Sequence, residues 1–267
     1  MLYNPRKLLI ITGPCALESH ELVFDVARYL TEIQEEFPEV QLVFKSSFDK
    51  ANRSSGHSLR GVGLDTGVEI FRELKKETGL LLTTDIHLPE QAGRVADVCD
   101  VLQIPAFLCR QTDLLQAAAA TGRVVSVKKG QFLSPEEMQF VIEKLRDFGA
   151  KEIWPMERGT TFGYHNLVVD MRSFSIMREF SSIAIFDATH SVQLPGAGNG
   201  ITIGQRKFVE HLAYAALAAG ANGLFFEVHS RPDQAICDAA NQLDIHEFKK
   251  IVAQCLKFWK LRKEIEN

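Results

Sequence analysis

Eight short apolar segments recur along the chain, and most are followed by a loop and a helical pattern. The segments are Leu8–Thr12, Gln41–Lys45, Leu80–Thr84, Val101–Ile104, Val124–Val127, Glu152–Pro155, Ile183–Phe186 and Gly223–Glu227. Several are continuously hydrophobic rather than alternating, which is typical of parallel strands that are buried on both faces. The pattern therefore predicts eight buried strands that alternate with helices.

Apolar residues recur at helical spacing between these segments. After the first segment they form one stripe, which comprises Val23, Val26, Leu30, Ile33 and Phe37. Further on, Ser134 and Glu137 have the spacing of a capping box with Pro135 at the first helical position, which predicts a helix that begins there. Eight strand–helix units suit a single (β/α)8 TIM barrel, which takes ~250 residues. We therefore expect one catalytic domain over residues 1–267.

The composition is that of an ordinary globular protein. The chain has 30 basic and 34 acidic residues, a net charge of −4, with 24% charged and 46% hydrophobic residues, which excludes intrinsic disorder. A slightly acidic chain argues against general nucleic-acid binding. The longest apolar segment, around Leu212 to Val228, is interrupted by Gly220 and Asn222, and the apolar stretch at the start is too short for a signal peptide. We expect neither a membrane span nor a nucleic-acid partner.

Basic side chains lie at or just after several predicted strand ends. They are Lys45, Lys50, Arg53, Lys128 and Arg158. Each one alone could be a solvated surface charge. In a barrel, however, the carboxyl ends of all strands meet at one mouth, and crowded like charges repel each other unless an anion neutralises them. The pattern favours a substrate with several anionic groups, such as a phosphate and a carboxylate, with Arg158 able to bind in a bidentate manner.

Side chains of the types that bind metals end three of the strands. Cys15, His190 and Glu227 follow the first, seventh and eighth strands, and Asp238 lies in the last loop. Barrel closure places the first strand beside the eighth, and this donor set suits Zn²⁺, Fe²⁺ or Mn²⁺. Packing of a buried cysteine and histidine is the alternative. The five cysteines, an odd number without a C-x-x-C pair, indicate a reduced, cytoplasmic compartment in which a functional cysteine acts singly.

Seven motifs resemble one enzyme family closely. They occur in order between Ile10 and Asp238 and are G-P-C-A-L-E-S, F-K-S-S-F-D-K-A-N-R-S-S, T-T-D-I-H, Q-I-P-A-F-L-C-R-Q-T-D-L, K-K-G-Q-F, E-R-G-T-T-F-G-Y and D-A-T-H-S-V-Q-L-P-G. The chain resembles the 3-deoxy-D-manno-octulosonate 8-phosphate synthases, also called 2-dehydro-3-deoxyphosphooctonate aldolases. The resemblance implies a homotetrameric barrel that condenses phosphoenolpyruvate with arabinose 5-phosphate and water, releasing phosphate, for the inner core of lipopolysaccharide.

The resemblance also implies roles for individual residues. Lys45 and Ser47 would bind the phosphoenolpyruvate carboxylate, and Lys50 would lie between the reactants. The groups around the phosphate of this substrate would be Lys128, Arg158, the backbone N–H of Ala106, Gln103 and Gln131. The groups around the aldose would be Asn52 on a hydroxyl, Arg53 and Ser54 on the phosphate, and Arg110 from a neighbouring subunit.

Catalysis and metal use are further implications of the resemblance. Lys50 and His190 are candidate proton donors to the aldehyde oxygen, while Asp85 and His87 would orient ligands or relay protons. Metal-dependent members carry a cysteine in the G-P-C motif and metal-free members an asparagine, so Cys15 places the chain in the metal-dependent class. Its divalent ion would then be held by Cys15, His190, Glu227 and Asp238.

Three alternatives remain at this stage. A sibling enzyme uses erythrose 4-phosphate and has K-P-R-T-S where this chain has K-A-N-R-S at residues 50–54, which favours the five-carbon aldose here. A Schiff-base aldolase would use Lys128 or Lys129 as a nucleophile. A non-catalytic sugar-phosphate-binding barrel would need the anion pocket but not the metal-binding set. Two loops also depart from the family pattern, at residues 195–206 and at Ser230-Arg231.

Overall fold

A computed structural model describes residues 1–52, 56–57, 59–198 and 203–266 of the chain. The predicted aldose-phosphate ligands Arg53 and Ser54 lie outside the described residues. Eight parallel strands form the centre of the molecule. They are β1 (Leu8–Gly13), β2 (Val40–Lys45), β3 (Leu81–Asp85), β4 (Val101–Ile104), β5 (Val124–Lys128), β6 (Ile153–Glu157), β7 (Ile185–Asp187) and β8 (Gly223–His229).

The strands pair in chain order, and β8 pairs back onto β1, so the sheet closes. In the closing pair Leu9 lies opposite Gly223 and Gly13 opposite Glu227. Gly223 permits this approach, because a Cβ atom there would lie only 2.9 Å from the side chain of Leu9. The predicted (β/α)8 barrel is confirmed, and each strand begins and ends within two residues of its predicted bounds.

Helices follow the strands and cover the outside of the barrel. They are α1 (His20–Glu36), α2 (Leu64–Thr78), α3 (Gln91–Ala96), α4 (Thr112–Ala120), α5 (Met138–Asp147), α6 (Ser173–Phe180), α7 (Val209–Ala218) and α8 (Ile245–Glu266). The predicted stripe of α1 is buried from Val23 to Ile33. The helix ends at Glu36, so Phe37, the last residue of the predicted stripe, is its C-cap. No helix in the described part of the chain is both long and apolar enough to cross a bilayer.

The predicted start of α5 is wrong by three residues. The Glu137 carboxylate does accept the backbone N–H of Ser134 at 2.8 Å, as a capping box requires. Residues 135–137 nevertheless form a tight turn, in which the N–H of Met138 bonds the carbonyl of Pro135, and the helix begins at Met138. The capping contact therefore forms without extending the helix to Pro135.

The inside of the barrel changes from apolar to charged along the strands. Successive side chains of a strand point to opposite faces, so residues two apart share the interior. The lower interior is a compact apolar cluster that includes Ile11, Val43, Val101, Met156 and Phe225. Two residues further along their strands, toward the carboxyl ends, stand Lys45, Gln103 and Glu227, all buried. The barrel interior therefore has an apolar layer, and a layer of polar and charged side chains lies next to it toward the carboxyl ends of the strands.

Candidate active site

A pocket opens at the carboxyl ends of the barrel strands. It is lined by most of the residues that sequence analysis singled out, among them Lys45, Lys50, Asn52, Asp85, His87, Ala106, Lys128, Gln131, Arg158, His190 and Asp238. Arg110 is exposed and does not line this pocket. Ser47 and Gln103 are buried and contact the pocket through Asp85. Gln193, which sequence analysis did not single out, also lines the pocket.

Lys45 is buried at the end of β2 and is surrounded by acceptors. Its Nζ lies 3.0 Å from Glu227 Oε1 and 3.8 Å from Asp85 Oδ2, and it donates to the Cys15 carbonyl at 3.3 Å. Burial by itself lowers the pKa of Lys45, but the two carboxylates outweigh this effect and raise it. Burial raises the pKa of Glu227, but Lys45, His190 and Lys50 lower it to about 2. Lys45 is therefore a permanent cation.

Lys50 lies in the loop after β2, where its N–H donates to the Arg60 carbonyl at 2.7 Å. Its Nζ is 3.9 Å from Glu227 Oε1. Burial, together with the neighbouring charge of Lys45, lowers the pKa of Lys50 to about 8. A lysine with such a pKa can give up a proton far more readily than an exposed one, as a general acid near neutral pH must.

Asp85 ends β3 and organises the side of the pocket next to Lys45. It accepts the Ser47 hydroxyl and, at 2.5 Å, the side-chain amide of Gln103. Burial raises the pKa of Asp85, but Lys45, Lys50 and Lys128 together hold it far below its usual range. The Ser47 hydroxyl, predicted to meet a substrate carboxylate, thus donates to a protein carboxylate instead in this structure.

His87 follows Asp85 and packs edge-on against the Phe48 ring, with centroids 6.1 Å apart. Its Nδ1 is buried and has no hydrogen-bond partner among the described residues. Burial lowers the pKa of His87, so the imidazole is neutral at pH 7. A neutral ring that lines the pocket can accept a proton there and can donate a hydrogen bond through its N–H.

Asp187 ends β7 and joins a predicted substrate ligand to a predicted metal ligand. It is fully buried, accepts Lys128 Nζ at 2.5 Å, and lies 2.8 Å from His190 Nδ1. Burial raises the pKa of Asp187, but His190 and Lys128 hold it far below its usual range. With Nδ1 bonded to Asp187, the Nε2 atom of His190 faces Glu227 Oε1 at 3.5 Å. Asp187 therefore determines which nitrogen points into the site.

Gln193 makes a second bridge of the same kind. Its Oε1 accepts Arg158 at 2.6 Å, and its Nε2 donates to Asp238 Oδ1 at 2.7 Å. Arg158 is buried, and its second terminal nitrogen, Nη1, has no partner among the described residues. Burial lowers the pKa of Arg158. A guanidinium nitrogen left without an acceptor at a pocket wall is suited to bind an anion.

The consecutive lysines at the end of β5 have different surroundings, as strand alternation requires. Lys128 lines the pocket, with Nζ 3.9 Å from the centroid of the Phe225 ring. Lys129 is fully buried and does not line the pocket; it donates to the Leu133 carbonyl at 3.0 Å and the Thr160 hydroxyl at 3.1 Å. Lys129 is a structural cation, which removes it as a Schiff-base nucleophile.

Groups of metal-binding type meet on the other side of the pocket. Ligand atoms of His190, Glu227 and Asp238 lie within 4.8 Å of one another, and those of Cys15, Cys237 and Asp238 form a second such group. Glu227 Oε2 is buried without a partner among the described residues, so an acceptor remains for a cation. Imidazole and carboxylate donors fit a divalent ion of the borderline class.

The expectation that Cys15 acts singly is wrong in this structure, because its sulfur contacts that of Cys237, and the two can form a disulfide when oxidised. Barrel closure brings the end of β1 to the loop after β8, where the two Cα atoms are 6.4 Å apart. Two cysteines separated by 222 residues carry no local spacing signal, so the pair could not be found from the sequence. A disulfide sulfur is not a thiolate, and only the reduced chain offers Cys15 as a ligand.

Gln242 holds the two cysteine-bearing segments together. Its Oε1 accepts the N–H of Cys15 at 3.4 Å, and its Nε2 donates to the Cys237 carbonyl at 2.9 Å. Asp238, the residue directly after Cys237, has a left-handed backbone with φ +50°. Aspartate tolerates this conformation better than most residues. The turn lets Cys237 and Asp238, adjacent in sequence, both line the pocket.

Comparison with known proteins identifies the family of this chain. The sequence profile of the DAHP synthetase I family matches residues 4–265, and the chain therefore belongs to that family. Within it, the chain is similar to two bacterial proteins named 2-dehydro-3-deoxyphosphooctonate aldolase. The protein of Campylobacter jejuni subsp. doylei is 50% identical over 263 residues, 94% of this chain and 98% of that protein. The protein of Brucella canis is 50% identical over 262 residues, 98% of this chain and 94% of that protein.

Proposed function

We propose that this enzyme condenses phosphoenolpyruvate with arabinose 5-phosphate and water to give 3-deoxy-D-manno-octulosonate 8-phosphate and phosphate. The supporting observation is the convergence of Lys45, Lys128 and Arg158, each at most 6% exposed, on one barrel mouth. Lys45 and Lys128 already pair with buried carboxylates of the protein, whereas Nη1 of Arg158 is buried without an acceptor among the described residues. A substrate phosphate would supply that acceptor. The two aldolase relatives support the choice of reaction.

Phosphoenolpyruvate would lie deepest in the pocket. Arg158, with its unpartnered nitrogen, and Lys128 would bind the phosphate, with Gln131 and the Ala106 N–H at the pocket wall beside it. Lys45 would face the carboxylate. Ser47 would bind the same carboxylate and Gln103 would lie near the phosphate; in the structure both donate to Asp85.

The bond-forming step places negative charge on the aldehyde oxygen of arabinose 5-phosphate, where a proton donor stabilises it. Lys50 lines the pocket between the anion-binding residues and Glu227, and its pKa of about 8 suits proton transfer to that oxygen. His87 and Asp85 would orient the reactants and the water that adds at the adjacent carbon. Phosphate then leaves the resulting hemiketal.

A divalent ion would be held by His190, Glu227, Asp238 and the reduced form of Cys15. When bound, this Zn²⁺, Fe²⁺ or Mn²⁺ ion supplies Lewis acidity toward an oxygen of the reactants. Asp187 would keep His190 Nε2 directed at the ion, and Gln193 would hold Asp238.

The aldose would lie nearer the solvent, where Asn52 is exposed at the pocket wall. We propose that Arg53 and Ser54 bind its phosphate and that Arg110, exposed on this chain, reaches the pocket of a neighbouring subunit in a homotetramer. The enzyme would act in the cytoplasm, on the route to lipopolysaccharide.

The test is phosphate release from phosphoenolpyruvate by reduced protein, with arabinose 5-phosphate or erythrose 4-phosphate as acceptor, before and after chelation. We expect turnover with the five-carbon sugar, its loss on chelation and its return with added metal. Preference for erythrose 4-phosphate would show the sibling reaction. Binding of both substrates without phosphate release, even with metal, would show a binding protein and refute the proposal. A borohydride-stable adduct at Lys128 would show the Schiff-base route.

A further inference from the structure

Two hydrogen-bonded bridges connect the anion-binding side of the pocket to the metal-binding side. One runs from Lys128 through Asp187 to His190, over distances of 2.5 and 2.8 Å. The other runs from Arg158 through Gln193 to Asp238, over 2.6 and 2.7 Å. In both, a single side chain contacts a cation at one end and a ligand of metal type at the other.

We propose that Asp187 and Gln193 are positioning residues that couple phosphoenolpyruvate binding to metal affinity, so that each ligand tightens the other. This inference rests on the proposed function, because it takes Lys128 and Arg158 as the phosphate ligands. Neither bridging residue contacts the reacting atoms in this proposal; each acts through the residues at its two ends.

The direction of the coupling follows from the hydrogen bonds. Lys128 draws electron density from the Asp187 carboxylate, which weakens Asp187 as an acceptor for His190 Nδ1–H. When Lys128 donates to a substrate phosphate instead, Asp187 becomes a stronger acceptor for His190 Nδ1–H. A histidine whose other nitrogen donates to a carboxylate is a more basic metal ligand. Phosphoenolpyruvate should therefore strengthen the His190–metal interaction.

The Gln193 bridge acts in the same direction. Arg158 polarises the Gln193 amide, which then donates more strongly to Asp238 Oδ1 and reduces the charge that Asp238 offers a cation. A phosphate that engages Arg158 relaxes this polarisation. Gln193 is uncharged, so its removal interrupts the bridge without changing the net charge of the pocket, which separates this effect from direct attraction between a bound anion and a bound cation.

The experiment measures the dissociation constant of Zn²⁺ for the reduced protein by competition with a chromophoric chelator, with and without saturating phosphoenolpyruvate and with no aldose present. The ratio of the two constants is the coupling factor, and coupling between sites is typically about fivefold or more. We expect such a factor in the wild-type protein and a smaller one in the double variant Asp187→Asn/Gln193→Ala, where only the direct attraction between the two ligands remains, with each single variant between.

Gln131→Ala is the matched control, since Gln131 lines the same pocket but its side-chain oxygen has no hydrogen-bond partner among the described residues. It should weaken phosphoenolpyruvate binding while leaving the coupling factor unchanged. Asp187→Asn should also weaken Zn²⁺ binding itself by about 10- to 100-fold, as loss of a carboxylate behind a metal-binding histidine does. An equal coupling factor in wild type and in the double variant would refute the bridges and leave the proposed function intact. Failure of the wild-type protein to bind phosphoenolpyruvate would refute both.

Discussion

The sulfur atoms of Cys15 and Cys237 are in contact although 222 residues separate the two cysteines in the sequence. Cys15 follows β1, and Cys237 directly precedes Asp238, so a disulfide between them would join the two segments that carry proposed metal ligands. Such a disulfide and a Cys15–metal contact are mutually exclusive, because only a thiolate binds the ion. The oxidation state of this pair therefore decides which donors the site can offer.

Metal uptake should depend on reduction of this pair. We expect oxidised protein to retain less Zn²⁺ than protein treated with a phosphine reductant and then desalted, as measured by elemental analysis. Cys237→Ser should bind the metal without pretreatment, since Cys15 then lacks its partner, and Cys99→Ser is a control on a free cysteine elsewhere. Equal zinc content in oxidised and reduced wild-type protein would rule out Cys15 as a ligand.

Lys128→Met and Lys129→Met should have different consequences. Lys129→Met removes the partner of a buried Glu157 carboxylate, 3.5 Å away, and should lower the free energy of unfolding by about 3 to 5 kcal/mol. Lys128→Met likewise leaves the buried Asp187 carboxylate without its lysine and should also destabilise the fold, but unlike Lys129→Met it should abolish measurable phosphoenolpyruvate binding. Calorimetric binding and chemical denaturation of both variants check this, and a binding loss confined to Lys129→Met would contradict the assignment.

His87 should make stability depend on pH. Burial lowers the pKa of His87 below the unfolded-state value of about 6.5, so between the two values the unfolded chain binds more protons. The contribution of neutral His87 to the free energy of unfolding is complete above about pH 6.5 and is lost as the pH falls through the folded-state pKa. On acidification, the free energy of unfolding should therefore fall more in the wild-type protein than in His87→Gln. His211→Gln, at an exposed position, is the control and should show no such trend.

Gly13→Ala should disturb the site through the backbone. A methyl group at Gly13 would overlap the carbonyl oxygen of Lys45, and the backbone there has φ +156°. We expect a loss of about 1 to 3 kcal/mol in unfolding free energy, together with weaker phosphoenolpyruvate binding as Lys45 shifts. Gly93→Ala, in α3 with open space around it, is the control and should be neutral or slightly stabilising. Unchanged stability and binding in Gly13→Ala would contradict this account.

The barrel could be predicted from the sequence because its strands are buried on both faces and therefore stand out as apolar runs. The placing of Lys45, Asp85, Lys128 and Glu227 at the mouth followed from the ends of those runs. The start of α5 could not be predicted, since the capping box of Ser134 and Glu137 forms equally well on a turn.

Contacts between distant segments were beyond sequence reasoning. Asp187 and Gln193 both lie inside a motif that identified the family, yet their roles depend on which side chains the closed sheet places beside them. The Cys15–Cys237 pair depends in the same way on β8 returning to β1. The spacing of residues along the chain does not reveal which side chains become neighbours in the folded barrel.

Because β8 returns to β1, each of the eight barrel strands, all within the described part of the chain, has a neighbour on both sides. Open strand edges pair with other chains, and a closed barrel avoids this hazard. A chain cut before Gly223 would lose Glu227 and would also leave β1 and β7 each unpaired on one side. Loss of the eighth strand would therefore appear first as aggregation of the chain. This aggregation would precede any measurement of how the loss of Glu227 affects activity.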